Sequence, residues 1–370
     1  MKCILPTIAL LISFVGIYAQ TPSEHAQAIL QNQISNQVSA GMTAGYATSD
    51  DILWIGHEGL ADVQEKRQID SLTIFRMASI AKPITAVAIM QLHEKGLLDL
   101  DKPISTYISD FPIKGGNAIS VRHLLQHSSG MGGYKSAKES ETTKEYPTLG
   151  DAIKVFEKRK RKFSPGSDFH YTTYGYVVLG WVIEKISGVS YEAYIQKNIL
   201  DEVGMQHTGV EKFSQTIAHQ TKSYSQKNRD LRKYDPDKNE IEERGRTNLS
   251  NRIPGGGFFT TAEDLLKFGQ AILDHQLISE TSLKMLWKDS GLKKEGNPYG
   301  MGWFLYGENP EYGPVYGHSG AQSGASTQLM LVPQEDMVFV VLSNTSHTWG
   351  HIFGVAVALF EIGVKDKNGE

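Results

Sequence analysis

The sequence predicts an α/β protein of the α+β type: an antiparallel sheet flanked by helices, built from both chain ends, with a helical lobe inserted in the middle. Three observations carry this expectation. Strand-like stretches bounded by turn residues lie near both ends, helical periodicity broken by glycines and polar runs fills the middle, and no internal repeat interrupts the pattern. At 370 residues and 40% hydrophobic, the chain has enough apolar material for one large domain or two lobes.

Residues 1–20, "MKCILPTIALLISFVGIYAQ", set Lys2 before an apolar stretch from Ile4 to about Tyr18, followed by Ala19 and a polar continuation. The stretch is short for a bilayer span and fits a secretory signal cut near Ala19 or Gln20. It predicts an exported protein, periplasmic or secreted, or membrane-anchored if the signal is not cleaved. Cys3 is the only cysteine and precedes the apolar stretch. A chain cut near residue 20 has no disulfide and no thiol, which excludes cysteine-protease and zinc-thiolate chemistry.

Residues 21–370 form the expected domain, with an α/β lobe at about 21–100 and 253–370 and a helical lobe at about 101–252. "SEHAQAILQNQISNQVSAG" reads as a helix that stops at Gly41, and "TAGYATS" and "ILWIGHEGLADV" as strands around a "DD" turn. "SIAKPITAVAIMQL" reads as a core helix opening at Ser79. "ISVRHLLQHSSG", "LGDAIKVFEKR", "TTYGYVVLGWVIEKISG" and "SYEAYIQKNILDEVG" read as helices of the inserted lobe. Residues 215–252 are polar and read as a long surface excursion. "IPGGGFFTTAEDLLKFGQAIL" gives a triple-glycine turn, a capping pair at Thr261 and Asp264, and an amphipathic helix. "GMGWFLY", "PVYGHSG", "ASTQLMLVP" and "MVFVVLSN" read as four successive strands, closed by the helix "GHIFGVAVALFEIG".

The formal charge of -4 and a pI near 6.3 give no electrostatic reason to expect a nucleic acid partner. The densest basic run, Lys158 to Lys162, reads as the solvated end of a helix.

Ser79 and Lys82 lie three positions apart, so on a helix they share a face. Two S-x-x-K pairs occur; the other, Ser290 and Lys293, falls in a loop with no helical pattern to hold a geometry. Taken alone, Ser79 and Lys82 fit an N-cap serine beside a solvated lysine as well as they fit a nucleophile and its base. Two further stretches bear on the choice. "SPGSDFHYTTYGYVVLG" puts Tyr171 just before a helix, and "YGHSGAQSGA" puts His318, Ser319 and Gly320 at the end of a strand. A structural reading is open for each: a core tyrosine and a strand-end histidine.

The ordered set of Ser79-x-x-Lys82, Tyr171 and His318-Ser319-Gly320 resembles the serine β-lactamase and penicillin-binding-protein superfamily. Within it, the chain is similar to the class C-like branch of β-lactamase-related serine hydrolases, close to esterases and the mitochondrial serine β-lactamase-like protein. The resemblance runs from about Gln27 to Glu361 and includes "GLLDLDKPISTYI", "VRHLLQHSSGM" and "GGGFFTTAEDLLKFG". It implies the β-lactamase/transpeptidase-like fold and catalytic roles for Ser79, Lys82, Tyr171 and His318. It also implies substrate or oxyanion contacts at Thr173, Ser319, Gly320 and Ala321, the oxyanion donors being the amides of Ser79 and Ala321. The chemistry fits the spacing: a helix N-terminus favours negative charge at Ser79, and a buried lysine has a lowered pKa that lets it take the hydroxyl proton.

Two departures bear on substrate. The second motif commonly reads Tyr-Ser/Ala-Asn and here reads Tyr171-Thr172-Thr173. The third commonly reads Lys-Thr-Gly and here has His318, a residue largely neutral at pH 7. Both weaken a β-lactam reading. The expected function is an exported serine hydrolase that forms an acyl-enzyme on an ester or amide, of esterase or peptidase type. The alternatives are a penicillin-binding D-Ala-D-Ala carboxypeptidase or β-lactamase, and a non-catalytic scaffold or binding protein. The expected partner is a small-molecule or peptide substrate with an ester, amide or lactam bond, with no nucleic acid and no stable membrane span after signal cleavage. No cofactor or metal is implied. His123 and His127 lack the glutamate of H-E-x-x-H and read as structural, "QHSSGM" reads as a packed turn under the site, and no G-x-S-x-G elbow occurs.

Overall fold

The computed structural model describes residues 21–109, 111–113, 118–228 and 236–369, and the signal read in residues 1–20 lies outside them. Five longer helices frame the site: α1 (Pro22–Ser35), α2 (Ala81–Glu94), α3 (Thr173–Ser187), α4 (Ala262–Leu273) and α5 (Trp349–Asn368). Helix α1 opens with a capping box between Thr21 and Glu24. It ends short of Gly41, where Gln37 turns the chain with a left-handed backbone at φ 52°.

Strands β1 (Gly41–Ala47), β2 (Ile52–Asp62) and β3 (Arg67–Gln68) come from one end of the chain. The other end supplies β4 (Phe304–Asn309), β5 (Gly313–Gln322), β6 (Ala325–Val332) and β7 (Met337–Ser343). They form one sheet in the order β3-β2-β1-β7-β6-β5-β4, with every neighbouring pair antiparallel. The two chain ends join where β1 meets β7, from Met42 opposite Ser343 to Ala47 opposite Val338.

Strand side chains alternate between faces, so the sheet has two apolar sides. Met330, Val332, Met337, Phe339 and Val341 pack with α1 and α5, while Leu329, Leu331, Val338, Val340 and Leu342 join the larger core containing α2, α3 and α4. Both β6 and β7 are buried at every position, which is why "MVFVVLS" is apolar throughout instead of alternating. Helix α2 is likewise buried from Ala81 to Leu92, packed against α3 and sharing the larger core with one face of the sheet.

Two expectations are corrected here. Residues 215–252 are not simply a surface excursion. Ser223–Gln226 and Ile241–Arg244 pair with each other and join Thr345–Ser346, and the segment ends in buried Asn248, Asn251 and Arg252. The helix read in "LGDAIKVFEKR" stops at Ile153, so the basic run at residues 158–162 lies outside any helix. Among the described residues, no helix is long and apolar enough to cross a membrane.

Helix α4 lies so close to the sheet that a Cβ at Gly269 would meet Val338 Cγ1 at 2.3 Å. Alanine improves helix propensity by up to about 1 kcal/mol, whereas overpacking costs about 1–3 kcal/mol. Urea unfolding of Gly269→Ala is expected to show a net loss of about 1–2 kcal/mol with an unchanged m-value. A gain in stability would mean that the helix can lift off the sheet at little cost.

Candidate active site

Ser79 does not itself open α2. It lies in the 3-10 turn Ala78–Ile80, the α-helix begins at Ala81, and no side chain caps it. The Ser79 hydroxyl instead faces Lys82, whose Nζ is 2.9 Å from Oγ. The turn is held in an uncommon shape: Ala78 has φ 51°, a left-handed conformation that costs a non-glycine residue about 1–3 kcal/mol. Close packing on β5 keeps it there. A Cβ at Gly320 would come within 2.6 Å of the Met77 carbonyl and 2.9 Å of Ala78 Cβ, so only glycine lets the turn rest on the strand.

Arg76 ties this turn to its surroundings. Its Nε and Nη2 donate to the two Glu211 carboxylate oxygens at 2.8 and 2.5 Å, and Nη1 donates to the Ser323 carbonyl and to Thr247 Oγ1, both at 3.0 Å. Both partners of the ion pair are buried, and a two-pronged geometry of this kind fixes position as well as charge.

The Lys82 amine is fully buried. It donates to the Gly255 carbonyl at 2.7 Å and more weakly to Thr173 Oγ1 at 3.4 Å, and it lies 4.9 Å from the centre of the Tyr171 ring. Burial pushes its pKa well below the usual lysine value, and the Arg252 charge pushes in the same direction.

Tyr171 also sits beside Ser79. Burial raises its phenol pKa, and its hydrogen bond with Ser79 works the other way. The "HSSG" turn supports it from behind: the His127 ring lies 4.3 Å from the Tyr171 ring, His127 Nδ1 accepts from the Thr172 amide at 3.3 Å, and the His127 carbonyl accepts from the His170 amide at 2.9 Å. His127 is buried with φ 57°, and its pKa is pushed well below 6.5 by burial and then by Lys82. His123 is engaged elsewhere, accepting from the Ser120 amide to close a capping box.

The structure therefore brings Ser79, Lys82, Tyr171 and Thr173 together, and Ala321 faces the same cavity. His318, read as catalytic from the sequence, lies behind them. Its ring is buried, donating from Nδ1 to the Ser319 carbonyl at 2.6 Å and accepting at Nε2 from Tyr299 at 3.1 Å. Burial, with Lys82 adding to it, lowers its pKa to about 3, so it is neutral at ordinary pH and is neither a general acid nor a cation there. Gly320 serves the packing described above, and Ser319 gives its carbonyl to His318. The second S-x-x-K pair makes no such site, since Lys293 donates to the Glu295 carbonyl.

The cavity has a volume of about 1020 Å³ and is lined by Ser79, Tyr171, Thr172, Thr173, Ala321 and the strip Gly132–Lys135, among others. Lys158, Arg159, Lys160 and Lys162 line it too, so the basic run is corrected from a solvated helix end to a part of the cavity. Sequence reasoning missed this part of the lining, the Gly255 carbonyl and Arg252. The triple glycine is the only one of these with a local signal, because Gly255 must admit Thr173 Cγ2 at 2.6 Å from where its Cβ would be.

An antiparallel sheet with flanking helices and a serine–lysine pair at the head of the core helix define the class of serine β-lactamases and penicillin-binding proteins. The Beta-lactamase family model matches residues 26–355, and the chain belongs to that family. It is 30% identical over 334 residues to penicillin-binding protein 4* of Bacillus subtilis (strain 168), covering 88% of this chain and 72% of that protein. It is 26% identical over 400 residues to the mitochondrial serine beta-lactamase-like protein LACTB of Homo sapiens, covering 83% and 71%. The crystal structure of a penicillin binding protein from Bacillus halodurans superposes with a TM-score of 0.75 at 27% identity, covering 90% of this chain and all of that one.

His127→Ala is expected to destabilise the fold by about 1–3 kcal/mol, because it leaves the buried Thr172 amide without its acceptor. His127→Asn keeps an acceptor and tolerates the left-handed backbone, so its unfolding midpoint should lie between wild type and alanine. Equal midpoints for all three would show that the turn does not depend on the ring.

Proposed function

We propose that this protein is a serine hydrolase that forms an acyl-enzyme at Ser79 and acts on esters or amides, as an esterase or peptidase. The observation that carries this reading is the buried Lys82 amine 2.9 Å from the Ser79 hydroxyl. With its pKa lowered, the neutral amine keeps a lone pair to accept the Ser79 proton while its N–H groups face the Gly255 carbonyl and Thr173. The Ser79 oxygen then bonds to the substrate carbonyl carbon, and the carbonyl oxygen takes up the negative charge. Backbone amides at Ser79 and Ala321 would stabilise that charge, at about 3–4 kcal/mol per donor. As the bond to the leaving oxygen or nitrogen breaks, Tyr171 can pass it a proton and take up the one held by Lys82, which leaves the amine neutral again. In the second half a water attacks the acyl-enzyme, gives up its proton by the same route, and releases the acid and free Ser79.

A D-Ala-D-Ala carboxypeptidase or β-lactamase reading is supported by the name of the Bacillus subtilis relative. The residues favour it less: Thr173 stands where an amide is common, and His318 is neutral and buried where a lysine is common. Export is proposed on residues 1–20 alone.

Intact-mass spectrometry after incubation with a fluorophosphonate tests the reading. One adduct on wild type, mapping to Ser79 and absent in Ser79→Ala, is the expected result; an unlabelled Ser79 that also turns over no p-nitrophenyl ester would favour a non-catalytic role. A fluorescent penicillin run alongside is expected to label weakly or not at all, and strong labelling would move the penicillin-binding reading ahead.

The labelling rate also has a predictable pH profile. Acylation needs Lys82 unprotonated, and its folded pKa lies well below 10.5, so the rate should rise with pH through that lowered value and level off above it. Lys82→Arg, which stays protonated, should lose at least about a hundredfold, the size of a general-base contribution. A rate that rises only near the ordinary lysine value would show that the amine is not the base.

A further inference from the structure

We propose that the substrate acylating Ser79 carries an anionic group, a carboxylate or a phosphate, held by Lys135, Lys158, Lys160 and Lys162 at the cavity mouth. The inference rests on the hydrolase reading above and adds the chemistry of its substrate.

The chain is acidic overall, with a formal charge of -4, yet the cavity beside Ser79 is lined by six cationic side chains and by no Asp or Glu. Two of the six are neutralised nearby: Arg159 pairs with Glu139 at 2.6 Å, and Lys154 with Asp151 at 2.9 Å. Glu157 acts on Lys154 from the same segment but does not line the cavity. The remaining four are exposed lysines without an ion pair among the described residues.

These lysines belong to a segment with a fixed seat. The Lys162 amide donates to the Gly130 carbonyl at 2.8 Å, Arg159 Nη1 to the Gly133 carbonyl at 2.6 Å, and the Gly166 amide to the Ser128 carbonyl at 2.8 Å. The basic run is thereby attached to the strip that continues from the His127 turn behind Tyr171. Lys162 also acts on a lining residue: the pKa of His170 is lowered by burial and then by that lysine. Like charges gathered around a concave site focus the potential and raise the local concentration of an oppositely charged ligand. They also weaken one another, so an anion that neutralises them is favoured twice over.

Two acyl chains of the same length test the idea, mono-p-nitrophenyl adipate with a terminal carboxylate and p-nitrophenyl hexanoate without one. The expected readout in wild type is a kcat/KM ratio of adipate to hexanoate of at least about ten, falling about tenfold in the triple variant Lys158→Gln, Lys160→Gln, Lys162→Gln. Raising salt from about 0.1 to 1 M, which shortens the screening length from about 10 to 3 Å, should lower the ratio in wild type more than in the variant. A control variant, Lys102→Gln, Lys197→Gln, Lys365→Gln, removes the same charge elsewhere and should keep the wild-type ratio. An unchanged ratio in the rim variant, or an equal fall in the control, overturns the proposal.

If wild type hydrolyses neither ester, fluorophosphonate labelling of Ser79 decides the hydrolase reading separately. Isothermal titration of adipate against Ser79→Ala, with and without the three rim substitutions, then decides the rim by itself. Weaker adipate binding on loss of the lysines supports the anion site, and equal binding overturns it.

Discussion

The Lys82 amine is held out of water, and much of the surrounding structure is needed to hold it there. Taking a lysine fully into a protein interior disfavours its charged form, so the amine must be neutral or strongly paired. Among the described residues no carboxylate pairs with it; its partners are the Gly255 carbonyl and the hydroxyls of Ser79 and Thr173. Those partners come from three separate places in the chain: the turn before α2, the start of α3, and the glycine turn before α4. The interaction therefore exists only when sheet, core helix and helical layer are all docked.

That dependence explains features with no catalytic role of their own. Gly320 lacks a Cβ so that the Ser79 turn can lie on β5, and Gly255 lacks one so that Thr173 can approach. Arg76 joins the residues before Ser79 to Glu211 and, through the Ser323 carbonyl, to the chain that follows β5. The His127 turn stands behind Tyr171, with its own backbone in the left-handed region. Each helps to fix a position near Ser79, and the left-handed backbones at Ala78 and His127 do so at some local cost.

The same geometry reassigns the third motif. A histidine at the end of a cavity-edge strand invites a catalytic reading, but the ring turns inward and satisfies both nitrogens with Tyr299 and the Ser319 carbonyl. Its neighbours on the strand face the Ser79 turn and the cavity instead, Gly320 by close packing and Ala321 as a lining residue. The cavity lining also includes a run of lysines that in sequence looks like a solvated surface.

The sequence by itself determined the elements that local chemistry dictates. Short apolar or alternating runs bounded by turn residues mark the strands, and longer apolar runs mark α2, α3, α4 and α5. The i,i+3 spacing of Ser79 and Lys82 is a property of any helical turn, so that pair was legible before any contact was known. What only the tertiary structure decided are the relations between distant segments: the seating of Tyr171 on His127, the Gly255 carbonyl as a partner of Lys82, the burial of His318, and the basic run as part of the cavity lining. Such relations depend on which face of each element meets which neighbour, and a one-residue change of register or a helix ending a turn early reverses that without altering the local pattern. The inward turn of His318 and the early end of the helix at Ile153 are the two places where this difference changed the reading of the site.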